Sequence, residues 1–157
     1  MTGTICHALK HAIDRWPKAK ALGYKEQGKW HWLTWEDYYQ RIEQLAVSLC
    51  SLGLNPGDHV AILGNNRVEW LVANMAVIVA GGVPAGIYVS SSSEQCEFIL
   101  QHCKARILFV ENPAQLAKVA SQWHRLPELK KIILMDGDHP EENILSWCQV
   151  SKAKARP

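Results

Sequence analysis

Few residues in this sequence have the types and spacings that do chemistry, and each candidate has a plainer structural reading. Gly81 and Gly86 carry the spacing of a phosphate-binding loop, but Ile87-Tyr88 stands where that loop needs Lys followed by Ser or Thr. Without the lysine nothing meets the terminal phosphates, and the dinucleotide pattern Gly-x-Gly-x-x-Gly is absent as well. The glycines are expected instead to stop a helix and allow close packing. Gly64-Asn65-Asn66 lies between a strand end and a helix start, where open α/β sheets bind ligands and helix amides attract anions. Its alternative reading is a helix cap.

His7 and His11 stand one helical turn apart, a spacing that can hold a metal, but no glutamate follows His7 and no third ligand is near in sequence. The serines of residues 90–93 have no Gly-x-Ser-x-Gly elbow around them. His59, His102, His124 and His139 are placed near no nucleophile. The five cysteines (Cys6, Cys50, Cys96, Cys103, Cys148) are scattered, with no Cys-x-x-Cys pair. They read as free thiols in a reducing compartment, several on apolar helix faces. Residue chemistry alone therefore assigns no catalytic, cofactor-binding or metal-binding residue.

The elements that would position such groups are easier to read. Ile5, Leu9, Ala12, Ile13 and Trp16 mark one helical face, ended by Pro17. Residues 21–25 and 29–33 read as a hairpin around Gln27-Gly28, with Trp30 and Trp32 on one face. Thr34-Trp35-Glu36-Asp37 is a capping box opening a helix that carries Tyr38, Ile42, Leu45, Ala46, Leu49 and Leu52 and stops at Gly53. Asn55-Pro56-Gly57-Asp58 is a turn, and His59 to Leu63 is a short apolar strand of the kind covered on both faces. Asn65 or Asn66 is expected to cap the next helix.

Residues 70–93 carry no charged residue, and 71–89 are almost wholly apolar or small. Gly81-Gly82-Val83-Pro84 would break a spanning helix, so the segment reads as a buried helix (about 67–80), a glycine stop and a buried strand (about 83–89). Ser92 and Gln95 form a second capping box, for a helix bearing Cys96, Ile99, Leu100 and Cys103. A strand follows at residues 106–110. Asn112-Pro113 then opens a helix with Leu116, Val119, Ala120 and Trp123, and residues 132–135 form a last strand closed by Asp136-Gly137. Four β/α units of this kind predict an α/β fold: an open, mostly parallel sheet with flanking helices and right-handed crossovers, preceded by a short β-hairpin.

Composition sets the outer bounds. The 157 residues are 48% hydrophobic and 20% charged, which is globular, and the net charge of +2 is too even for a nucleic-acid arm. Only the stretch from Lys152 to Arg156 is markedly basic. The first twenty residues read as an amphipathic helix rather than a signal peptide, so the chain is expected to be cytoplasmic and not secreted.

The order of the motifs carries more than any one of them. Leu33-Thr34-Trp35-Glu36-Asp37-Tyr38, then Leu52-Gly53-Leu54-Asn55-Pro56-Gly57-Asp58-His59-Val60-Ala61-Ile62, then Asn66-Arg67-Val68-Glu69-Trp70 together resemble the opening of the adenylate-forming (AMP-binding) superfamily. Ala80-Gly81-Gly82-Val83-Pro84-Ala85-Gly86-Ile87-Tyr88 is similar to its second core motif. The Gly-Ile-Tyr variant followed by serines and Glu94-Gln95 resembles the long-chain acyl-CoA synthetase branch. Val110-Glu111-Asn112-Pro113-Ala114-Gln115-Leu116 and Leu126-Pro127-Glu128-Leu129-Lys130 fit that branch, including its bubblegum-type members. The likeness runs from about residue 20 to 148.

The resemblance implies a two-step ligase, in which Mg-ATP activates a fatty-acid carboxylate as an acyl-adenylate and coenzyme A displaces AMP. It also implies that the phosphate loop ending in Pro-Lys-Gly, the Tyr-Gly-x-Thr-Glu segment, the ribose-binding Asp and the C-terminal lysine have no match in this sequence. The matched motifs are scaffolding ones, so no catalytic, cofactor-binding or metal residue carries over. Residues 1–157 are accordingly expected to be the N-terminal part of an AMP-binding domain, truncated before the phosphate loop, inactive alone and binding no cofactor itself. ATP, Mg2+ and coenzyme A belong to the full-length family.

The expected partners are fatty acid, ATP and coenzyme A in the whole enzyme, and the remainder of that enzyme. Peripheral association with membranes is allowed, and no nucleic acid is expected. The alternative is a non-catalytic interaction domain derived from such an enzyme. A third and weaker reading makes residues 71–89 a membrane anchor.

Overall fold

The computed structural model describes residues 3–152. Residues 153–157, which include most of the basic stretch noted above, lie outside the described residues. Helix α1 (Ile5–Arg15) opens on a capping box between Thr4 and His7 and buries Leu9 and Ala12. Ile5 and Trp16, at the two ends of the apolar face read from the sequence, are exposed. A hairpin follows, β1 (Lys20–Glu26) and β2 (Lys29–Thr34), paired antiparallel. Gln27 and Gly28 both take positive φ at its tip, as a two-residue turn requires.

Thr34 then ends the hairpin and begins α2 (Trp35–Ser51). Its hydroxyl accepts the Asp37 N–H at 3.1 Å while the Asp37 carboxylate accepts the Thr34 N–H at 3.0 Å, so two orphan amides are satisfied reciprocally. The hydrogen bonds from the Thr34 side chain and backbone hold the Asp37 carboxyl below its ordinary pKa. Helix α2 buries Tyr38, Ile42, Leu45, Ala46 and Leu49, as its spacing predicts. The Tyr38 hydroxyl donates to the Leu71 carbonyl at 3.2 Å, and burial pushes its pKa up to about 12.

The remaining chain builds a five-stranded sheet in the order β4-β3-β5-β6-β7, with every pair parallel. Its strands are β3 (His59–Leu63), β4 (Val83–Ile87), β5 (Ile107–Val110), β6 (Lys131–Leu134) and β7 (Ile144–Ser146). Helices α3 (Val68–Val79), α4 (Ser93–His102), α5 (Pro113–Ala120) and α6 (Trp147–Val150) connect and close them. Alternation along the strands divides the core in two. Val60, Ile62, Ile107, Phe109 and Ile133 face the layer of α1, α2 and α3. Ala61, Leu63, Leu108, Val110, Ile132 and Leu134 face the layer that includes α4 and α5. Covering both faces explains the unbroken apolar runs of β3, β5 and β6.

Four sequence readings need correction. The N-cap of α3 is Arg67, without a side-chain cap bond, because Asn65 is engaged elsewhere. Strand β4 is an edge rather than a buried strand: it stops at Ile87, and only that residue is buried. Trp123 lies in a short 3-10 turn after α5, which ends at Ala120. Residues 132–135 are not the last strand, since β7 and α6 follow. Strand β7 is three residues long, too short for a pattern, and α6 is tied back by the buried Ser48 hydroxyl donating to the Val150 carbonyl at 2.5 Å. The apolar segment at 71–89 is a helix, a glycine stop and a strand, and no helix among the described residues is long and apolar enough to cross a membrane.

Candidate functional site

In an open parallel sheet, ligands bind beyond the carboxyl ends of the strands, at the point where the strand order reverses. Here the chain runs from β3 outward to β4 and returns to β5 on the other side of β3. The crevice therefore lies between Leu63 and Val110, which are register partners. The residues just past these strands hold it shut.

Glu111 follows β5 directly, and its N–H donates to the Leu63 carbonyl at 2.9 Å, extending the ladder by one residue. Its carboxylate accepts the Asn65 backbone N–H at 2.8 Å and the Asn65 side-chain amide at 2.9 Å. Gly64 makes room for it: a Cβ there would stand 3.2 Å from the Glu111 Cβ. One strand further on, Asp136 is fixed by its N–H to the Glu111 carbonyl at 2.9 Å.

Arg67 closes the row. Its two terminal nitrogens bind the Asp136 carboxylate at 2.6 and 2.8 Å, a bidentate pair, and its Nε donates to Glu69 at 2.7 Å. A third carboxylate, Glu111, stands 4.0 Å away. The Asp136 hydrogen bond, assisted by Glu69 and opposed by partial burial, raises the Arg67 pKa further above its already high value.

Chemically the arrangement is a clamp. Three carboxylates converge on one guanidinium, so the cluster leaves no cation free for a polyanion, and the Asn65 amide that could meet a phosphate is already taken. Asp136 and Glu69 are turned onto Arg67 and Glu111 onto Asn65, rather than toward an open coordination position. As they are paired here, Asn65, Arg67 and the three carboxylates do not fit a triphosphate or its magnesium ion.

The other sequence candidates are used structurally. His7 is the third residue of α1 and its Nδ1 accepts the Thr4 N–H, while His11 packs edge-on against Trp16. Among the described residues no group of three or more His, Cys, Asp or Glu side chains is placed to hold a metal. Gly81 takes φ +85° against Pro56, and a Cβ on Gly82 would lie 3.0 Å from Val77, so this glycine pair serves a turn and close packing. Ser92 caps α4 with Gln95, and Lys118 donates to the carbonyls of Val89 and Ser91. Sequence reading did not join Arg67, Glu69, Glu111 and Asp136. The available signal was position: Glu111 and Asp136 stand one and two residues past the carboxyl ends of β5 and β6.

Comparison with known proteins follows the same outline. The model of the AMP-binding enzyme family matches residues 9–157. Long-chain-fatty-acid–CoA ligase ACSBG1 of Homo sapiens is 34% identical over 139 residues, covering 88% of this chain and 19% of that protein. Long-chain-fatty-acid–CoA ligase ACSBG2 of Homo sapiens is 38% identical over 131 residues, covering 83% of this chain and 20% of its own length. The acetoacetyl-CoA synthetase of Streptomyces lividans superposes with a TM-score of 0.82 at 26% identity, over 96% of this chain and 25% of that one. The chain thus spans about a fifth of the length of the curated relatives it matches.

Proposed function

We propose a role from one premise: the chain belongs to the AMP-binding enzyme family. In that role it builds the N-terminal scaffold of a ligase that activates a long-chain fatty acid with ATP and transfers it to coenzyme A, without itself meeting the nucleotide. The names of the curated relatives support the substrate class. The observation that carries the scaffold assignment is the clamp at the carboxyl end of the sheet, where Arg67 and the Asn65 amide are both spent on internal carboxylates. ATP, magnesium and coenzyme A would be held by other parts of such a ligase.

The test is fatty-acid-dependent ATP–pyrophosphate exchange by the purified chain. The expected result is exchange no faster than the enzyme-free blank. Exchange that saturates with a long-chain fatty acid would overturn the scaffold role.

A second reading, a non-catalytic interaction domain, is favoured by one feature. Tyr88, just past the edge strand β4, and Phe98 of α4 are 83% and 66% exposed and line one open cavity, and an edge strand leaves ladder groups unpaired. Under this reading the chain self-associates or captures a partner through that edge. A monodisperse monomer across concentration in sedimentation equilibrium would remove the self-association form of it.

A further inference from the structure

We infer that the outer face of the β1–β2 hairpin is a docking surface for an anionic lipid bilayer. The inference stands on the hairpin alone and does not rest on the ligase reading.

The hairpin has two unlike faces. Alternation places Leu22, Tyr24, His31 and Leu33 on one, with Leu33 buried and Leu22 packed against the main core. The other face carries Trp30 and Trp32, which are 64% and 49% exposed. Their rings stack on one another, with centroids 6.1 Å apart and planes 23° apart. Trp32 lies over its cross-strand partner Gly23, where a Cβ would stand 2.7 Å from the ring. Lys20 holds its ammonium 4.4 Å from the same ring, and Lys25 is the cross-strand partner of Trp30.

Two large rings held on the surface by their neighbours do no work for the core. Indoles partition to the water–bilayer boundary, where an apolar body and a polar edge are both satisfied. Lysines beside them are attracted by the negative surface potential of anionic lipid. The charge around the hairpin has the matching sign. From residue 15 to 34 the chain carries Arg15, Lys18, Lys20, Lys25 and Lys29 against Glu26 alone, all exposed. Lys18 is tied to Glu36, Asp37 is spent on Thr34, and Glu69, which shares a cavity with Lys25 and Trp30, is held by Arg67. Glu26, the register partner of Lys29 at the tip, is therefore the acid of the hairpin itself that tempers the patch.

Single-stranded nucleic acid is the rival polyanion, since it too seeks Trp and Lys. Successive bases need successive bare ring faces, however, and Trp32, although half exposed, already has Trp30, Gly23 and Lys20 against its ring. The lipid surface is therefore the better match.

The experiment is flotation of the intact chain with phosphatidylcholine vesicles, with and without phosphatidylserine, at low and high salt. The expected result is binding that requires phosphatidylserine and is released by salt. Lys25→Ala should weaken it about fivefold and Lys20→Glu/Lys25→Glu should abolish it, while Lys130→Glu, outside the patch, leaves it unchanged. Trp30→Ser/Trp32→Ser, checked by its melt for an intact fold, should also lose binding. Failure of the unmodified chain to float with phosphatidylserine vesicles would overturn the inference. So would equal binding to neutral vesicles, or tighter binding to an oligo-uridine strand at the same salt.

Discussion

The carboxyl edge of the parallel sheet and the outer face of the hairpin invert what their sequences suggest. The sheet edge is where this architecture ordinarily receives a ligand, yet its polar groups are turned on each other: Glu111 on Asn65, Asp136 and Glu69 on Arg67. The hairpin is a minor element by length, yet it holds two indoles and two lysines outward with the core already satisfied behind it. In the first region the polar groups are partnered with one another, although carboxylates outnumber the single guanidinium, whereas on the hairpin lysines outnumber the acid and point to solvent. Location in a fold is therefore a weaker guide to binding than whether the groups found there are already partnered.

Substitutions should separate the two regions by their cost. Arg67→Ala leaves three carboxylates facing one another in a partly buried row, and is expected to cost about 2–3 kcal/mol, read from the denaturation midpoint at unchanged slope. Glu111→Ala strands the Asn65 amides and should cost about 1–2 kcal/mol, with Glu111→Gln recovering part of it. Equal stability of either variant with the parent would show that the clamp is ornamental.

At the root of the hairpin, Thr34→Ala removes the cap of α2 and should cost about 1 kcal/mol at neutral pH. Because Thr34 depresses the Asp37 pKa, that part of the stability is present above the ordinary aspartate range and fades as pH falls through the lower folded value. The gap between variant and parent should narrow below about pH 4. On the outer face, Gly23→Ala should cost less than about 1 kcal/mol, while displacing Trp32 and flattening the near-ultraviolet signal of the stacked indoles. Trp30→Ala should be smallest, within about 0.5 kcal/mol. A large loss there would mean that the ring holds the fold together and is not a free surface.

Much of the fold was legible because each boundary has a local cause. Thr34 with Asp37, Ser92 with Gln95 and Asn112 with Pro113 mark helix starts, and all three cap as their spacing predicts. Asn65 failed as a cap for a non-local reason: its side chain bonds to Glu111, forty-six residues away in sequence. The short β7 was hidden because three residues carry no period, and its pairing with β6 alone makes it a strand. The edge position of β4 was equally invisible, since strand order is a tertiary fact that Val83 to Ile87 does not encode. The likeness to adenylate-forming enzymes was readable from ordered motifs. The clamp was not, because its four side chains come from three separate connections. The outward indoles were half readable: alternation placed Trp30 and Trp32 together, but only the buried Leu33 behind them shows which face is out.

The crevice between β3 and β5 is proposed to be a closed structural clamp and not a nucleotide site. A Mg-ATP titration followed by backbone amide resonances tests it most directly, with Gly64, Asn65, Arg67, Glu111 and Asp136 as reporters. These signals are expected to stay in place up to high nucleotide concentration. A saturable shift centred on Asn65 and Glu111, lost in Arg67→Ala, would contradict it.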